Sequence, residues 1–198
     1  MGELNPHASI NLEQASVMLL DDNPEGMAIL VQIITAFGVK MLQRATTAEM
    51  AEKMSGTVPL DLVLASATLR LSSGYDFTSW LRRSDLKPNA YAPVILISGH
   101  TVLSDVQKAR DCGANYIVAK PLSPTVLLNR IVWVAREKRP FVSSDGYVGP
   151  ERRFHDVGPP PDQPDRRRAE SPETVIDVVT PNLRTNDSPS SSTMETAE

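Results

Sequence analysis

Four short apolar runs end in residues that could do chemistry. Residues 17–20 run into Asp21-Asp22, and 60–65 into Ser66. Residues 94–97 run into Ser98-Gly99, and 116–119 into Lys120-Pro121. Adjacent carboxylates repel each other unless a cation lies between them. With backbone oxygens and water they can hold a hard divalent ion, while a nearby lysine can instead neutralise them. The ends of parallel strands converge on one rim, where ligands bind. That rim carries no nucleophile–base pair, because none of His7, His100 and His155 is placed to serve it. An enzyme is therefore not expected.

The elements that would hold this rim can be read in order. Strands are expected at 17–20, 39–44, 60–65, 93–97 and 116–119, each an apolar run bounded by turn residues. Helices are expected between them. Asn23-Pro24 opens the first, with Met27, Leu30, Ile34 and Phe37 at helical spacing and Gly38 as its stop. Further helices follow at 47–54, 75–83 and 101–112. The last starts at Ser123-Pro124 and reaches Arg139 with Leu127, Leu128, Ile131, Val134 and Ala135 on one face. Strict alternation predicts an α/β fold, (βα)5, with a doubly wound, flavodoxin-like parallel sheet.

Composition divides the chain. Residues 140–198 hold nine of the sixteen prolines and carry a net charge of −5, whereas residues 1–139 carry +1. The reading is a flexible leader over 1–15, a domain over 16–139, an arginine-rich extension over 140–170 and a disordered tail over 171–198. Within that tail Thr174–Thr180 is the one apolar segment, either a strand or docking peptide or a local excess of apolar residues. The single cysteine, Cys112, excludes an intrachain disulfide. No apolar run approaches the ~20 residues of a membrane helix, and a cytoplasmic protein is expected.

The rim residues, in their order on their strands, resemble the receiver domain of response regulators, the CheY-like family, over residues 16–139. That resemblance implies that Asp21 and Asp22 match an acidic Mg2+-binding pair. Ser98 matches a hydroxyl that answers phosphorylation, and Lys120 a phosphate-pairing lysine with a cis bond to Pro121. The phosphoacceptor aspartate is replaced by Ser66, which cannot form an acyl phosphate. Arg70 stands where the family has a proline, and Ile117 where it has an aromatic switch residue. Asp61 lies five residues before Ser66, so at ~3.3 Å per residue it belongs to the far end of the strand. The metal reading is correspondingly Mg2+ held weakly or not at all by Asp21 and Asp22, the alternative being an electrostatic remnant.

The extension holds a near-repeat. Pro150-Glu151-Arg152-Arg153-Phe154-His155-Asp156 is followed fourteen residues on by Pro164-Asp165-Arg166-Arg167-Arg168-Ala169-Glu170. In Arg-x-x-acid, a carboxylate one turn away can orient a guanidinium. The guanidinium can bind guanine O6 and N7 and stack on a base, while neighbouring arginines meet phosphates. Tyr147 and Phe154 offer stacking surfaces. Two copies suit a ligand with two guanines and two phosphates, which is cyclic di-GMP. Tyr147-Val148-Gly149-Pro150-Glu151-Arg152-Arg153-Phe154 also resembles the arginine-rich extension of alphaproteobacterial CheY-like cyclic di-GMP effectors. The expected nucleotide-binding set is Tyr147, Arg152, Arg153, Asp156, Arg166, Arg167, Arg168 and Glu170. The resemblance implies a partner such as a flagellar motor component or a histidine kinase. Five arginines against five acids over 147–170 leave no basic patch for DNA. The alternatives are a response regulator acting through residual metal, phosphate or kinase docking, and an extension that is only a linker.

Overall fold

The computed structural model describes residues 11–137, 139–144, 146–152 and, as backbone, 174–176. Its centre is a parallel sheet of β1 (Ser16–Leu20), β2 (Met41–Ala45), β3 (Leu62–Ser66), β4 (Val94–Ser98) and β5 (Tyr116–Ala119) in the order β2-β1-β3-β4-β5. β1, β3 and β4 are buried along their whole length, as expected of central strands covered on both faces. The register sets Leu20 beside Ala65 and Ser66 beside Ile97, so the chemical residues after β1, β3 and β4 share one edge.

Helices cover both faces. α1 (Pro24–Ala36) and α5 (Pro124–Ala135) lie on one side, contributing Leu30, Ile33, Ile34, Leu127, Ile131 and Val134 to a core with Leu19, Leu64 and Ile95. α2 (Ala48–Ser55), α3 (Gly74–Arg83) and α4 (Leu103–Asp111) lie on the other, around Phe77, Leu81 and Leu96. The doubly wound (βα)5 expectation therefore holds. α1 starts where the sequence indicates: the Asn23 side chain accepts from the Glu25 and Gly26 N–H groups, and Pro24 occupies the first turn. α4 begins later than expected, at Leu103, and its N-cap residue Val102 makes no side-chain cap bond. A 3₁₀ turn at Asn89–Tyr91, preceded by a cis Lys87–Pro88 bond, was not anticipated.

The domain extends beyond both boundaries read from the sequence. Leu12 and Ala15 are fully buried in the α1/α5 core, so the leader joins the fold before residue 16. Beyond α5 the chain continues as an antiparallel hairpin of β6 (Phe141–Ser144) and β7 (Tyr147–Pro150). β8 (Thr174–Ile176) pairs with the other edge of β6, which resolves the 174–180 segment as a strand at its start. The hairpin carries Phe141 and Val142 into burial.

Two glycines allow it to dock. Gly113 has φ +87°, and a Cβ there would meet the Val148 carbonyl oxygen at 2.5 Å. A Cβ on Gly149 would lie 2.7 Å from Gly113 Cα. Each position requires glycine for close backbone approach, Gly113 for its conformation as well.

Candidate functional site

The rim gathers the expected residues, but each is already engaged. Asp21, at 1% exposure, accepts from the Asn23 N–H at 2.9 Å and lies 3.4 Å from Lys120 Nζ. A Cβ on Gly26 would lie 2.6 Å from Asp21 Oδ2, so the start of α1 fits tightly around this carboxylate. Asp22 turns the other way: its Oδ2 accepts from the Arg70 N–H at 2.6 Å, and Arg70 Nε is 3.8 Å away. The two carboxylates thus face different cations, a separation that relieves their repulsion.

Ser66 is buried at the end of β3, with its hydroxyl donating to the Thr68 carbonyl at 3.0 Å. Ser98 contacts the His100 backbone twice, donating to its carbonyl and accepting from its N–H. The Lys120–Pro121 bond is cis. Asp61 sits at the far end, where its carboxylate accepts from the Ser16 N–H at 2.9 Å, a fold-closing role. Asp76 is exposed to the α3 N-cap, bonded to Ser73 at 2.6 Å. Among the described residues no three His, Cys, Asp or Glu side chains form a metal-sized cluster.

The extension brings a different chemistry. Arg152 lies with its guanidinium carbon 3.7 Å from the Tyr147 ring centroid and pairs with Asp111 at the end of α4, 3.3 Å away. Tyr147 in turn donates its hydroxyl to the Pro150 carbonyl at 2.7 Å, and burial raises the pKa of that hydroxyl. Of the expected nucleotide-binding residues, the structure places Tyr147 and Arg152 together. Arg153, Asp156, Arg166, Arg167, Arg168 and Glu170 lie outside the described residues.

Two arginines that sequence reasoning passed over tie this hairpin to the receiver-like sheet. Arg82, on α3, is fully buried. It donates to the carbonyls of Gly113, Ala90 and Ala92 at 2.8–2.9 Å and to the Asn115 side chain at 3.2 Å. Its guanidinium lies 5.0 Å from the Phe141 ring. Burial without a carboxylate partner pulls its pKa down to about 10. Arg139, just past α5, donates to the Glu151 carbonyl at 3.2 Å and to the Asn115 carbonyl at 3.4 Å, pairs with Glu137, and lies over the Trp133 ring at 5.5 Å. Charged residues near helix ends usually read as solvated, and no pattern marks these two as anchors.

Comparison with known proteins agrees with this geometry. The response regulator receiver domain profile matches residues 17–132. The polar-differentiation response regulator DivK of Brucella ovis is 28% identical over 108 residues, covering 54% of this chain and 85% of that protein. A probable cyclic di-GMP phosphodiesterase of Vibrio cholerae is 26% identical over 129 residues, covering 65% of this chain but only 28% of the relative. Among solved structures, the chemotaxis protein CheY4 of Vibrio cholerae superposes with a TM-score of 0.57 at 18% identity, covering 61% of this chain and 98% of that one. At that identity the superposition speaks for the fold alone. The sheet order, the placement of Asp21, Asp22, Ser98 and Lys120 on its rim, and the profile match over most of the domain together establish that this chain belongs to the response regulator receiver domain family.

Proposed function

We propose that the protein is a pseudo-receiver adaptor in signal transduction. In this reading it takes no phosphoryl group at its rim, and it binds cyclic di-GMP through the arginine-rich extension to regulate a protein partner. The observation that carries the proposal is the Tyr147–Arg152 stack. The extension begins inside the fold, with the Arg152 guanidinium over the Tyr147 ring and paired with Asp111. A pre-oriented guanidinium loses less freedom when it meets a base or phosphate. Arg153 and Asp156 would follow directly, and Arg166, Arg167, Arg168 and Glu170 would supply the second copy of the motif.

The rim supports the other half of the proposal. Ser66 lacks the carboxylate that the family's chemistry uses. A divalent ion would be held weakly at most, since Asp22 accepts from the Arg70 N–H, Asp21 pairs with Lys120, and Ser66 supplies no carboxylate oxygen. The Vibrio cholerae relative is, by its name, a probable phosphodiesterase of the same nucleotide, and the match spans only 28% of its length. A histidine kinase or a flagellar motor component is the class of partner this reading favours.

The second reading is a response regulator that still answers metal or phosphate, favoured by the retained Lys120–Asp21 pair. Calorimetric titration of cyclic di-GMP into the full chain, into a chain ending at Arg139 and into Arg153→Ala separates the two. Binding to the full chain alone is the expected result. No heat with the full chain, together with a fluorescence response to Mg2+ and beryllofluoride, would replace the first reading with the second.

A further inference from the structure

α4 is the least buried α-helix of the domain. Of its nine residues Ala109 alone is buried, and Leu103 and Val106 are 73% and 42% exposed. Each of the other α-helices buries at least three residues. Grooves flank α4 on both sides, one of about 600 Å3 toward α3 and one of about 540 Å3 toward β5 and α5. A helix this short is marginal in water unless its neighbours hold it. No side chain caps its first turn. Its anchorage is concentrated at the other end.

That end is clamped from two directions. From within, Arg82 donates to the Gly113 carbonyl at 2.9 Å and to the Asn115 side chain at 3.2 Å. From outside, β7 rests on the turn so closely that neither Gly113 nor Gly149 has room for a Cβ. Two residues past β7, Arg152 stacks on Tyr147 and pairs with Asp111, the last residue of α4, at 3.3 Å. Asp111 stands at the negative end of the α4 dipole, where a carboxylate weakens a helix. Arg152 offsets that charge, together with the neighbouring Arg110 at 3.8 Å.

We infer that the β6–β7 hairpin is a latch on α4. Docked, it fixes the C-terminal turn of a helix that burial alone does not hold. Released, α4 loosens between its two grooves while the sheet and the other helices stay in place. The control point is the junction where the arginine-rich extension leaves the hairpin. Whatever draws β7 or Arg152 away is therefore felt at α4 rather than at the rim. The latch is complete in the hairpin, the turn and α4, so it stands or falls apart from the cyclic di-GMP reading.

The test is hydrogen–deuterium exchange by mass spectrometry on the full chain without ligand, comparing wild type, Gly149→Ala and Arg152→Ala. A Cβ at position 149 would lie 2.6 Å from Tyr147 Oη and 2.7 Å from Gly113 Cα, so the first variant forces β7 off the turn. Neither variant alters the sequence of α4. Gly149→Ala should speed exchange of the 103–111 amides at least about tenfold, with β3 and α5 unchanged. Arg152→Ala should speed it about two- to fivefold, the scale of an exposed ion pair. Faster exchange in the hairpin with α4 at its wild-type rate would overturn the inference. So would faster exchange spread evenly over α1, α3 and α5, which would make the hairpin a support of the whole domain. If the hairpin stays protected in Gly149→Ala, Arg152→Ala decides: faster α4 exchange upholds the latch, and an unchanged rate removes it.

Discussion

At the rim of the parallel sheet, charged side chains meet charged side chains; on the hairpin side of the domain arginines also lie over rings and donate to carbonyls, with Arg139 and Arg152 keeping a carboxylate partner as well. Asp21 has Lys120 and Asp22 has Arg70, so the rim is neutralised from within. Arg82, Arg130, Arg139 and Arg152 instead lie over Phe141, Tyr116, Trp133 and Tyr147. The difference teaches where a new ligand can enter. An ion pair must be broken before either partner can bind something else. A ring under a guanidinium fixes its plane while its edge contacts exchange. At the rim the charged groups are paired with one another; where the hairpin docks, guanidiniums rest on rings as well.

Removing the strongest anchor should break the comparison most severely. Arg82→Ala strips three carbonyls and one amide of a charged donor inside the domain. It should cost about 3–5 kcal/mol, read from urea denaturation, because unmade buried hydrogen bonds to a charged group are expensive. The loss should be larger in the full chain than in one ending at Arg139, since Phe141 also rests on this guanidinium. An equal loss in both would mean the hairpin is only a passenger.

A middle-sized effect would sharpen the account of the rim. Ser66→Asp should create a Mg2+ response in tryptophan fluorescence that wild type lacks, because it returns a hard oxygen ligand. Adding Arg70→Ala should tighten Mg2+ only about two- to fivefold. The Arg70 side chain is 78% exposed, its charge is screened, and its backbone N–H still holds Asp22. A response in wild type itself would show the rim to be open after all.

The last effect concerns Cys112, beside the docking glycine, and is confined to alkaline pH. Burial pushes its thiol from 9.0 up to about 11. A raised acid pKa favours the folded state fully below pH 9, and that preference is lost as pH rises toward 11, because the unfolded chain ionises first. The stability difference between wild type and Cys112→Ala should therefore shrink between pH 8.5 and 10.5, by up to roughly 2 kcal/mol. A constant difference would mean the thiol is more exposed than its packing indicates.

Much of this was legible from pattern alone. The central strands β1, β3 and β4 are continuous apolar runs, and Asn23-Pro24 marks α1 because its capping chemistry is local. Ser66 at the end of β3 could be read by counting. The hairpin was harder. The proline-rich composition after residue 140 pointed to disorder, although Asp145-Gly146 between two short β-prone segments is a two-residue turn signal. Its third strand comes from 174–176, some thirty residues later, and three residues have no period to detect. Arg70 was visible as a departure, but its backbone N–H on Asp22 depends on the loop's path, which no local pattern encodes. The Arg130–Tyr116 and Arg139–Trp133 pairs bring α5 and its C-terminal end onto β5, and only tertiary packing creates them.

β8 changes the topology of everything that follows the hairpin. Pro150 and Ile176 both pair with Phe141, from opposite edges, so they stand about 10 Å apart, two strand spacings. The 25 residues between them form a closed circuit rather than a trailing end. Part of the entropy of loop closure is then spent when the domain folds, not when a ligand arrives. A single proteolytic nick in that circuit, leaving every side chain in place, should weaken any ligand that needs both motifs at once.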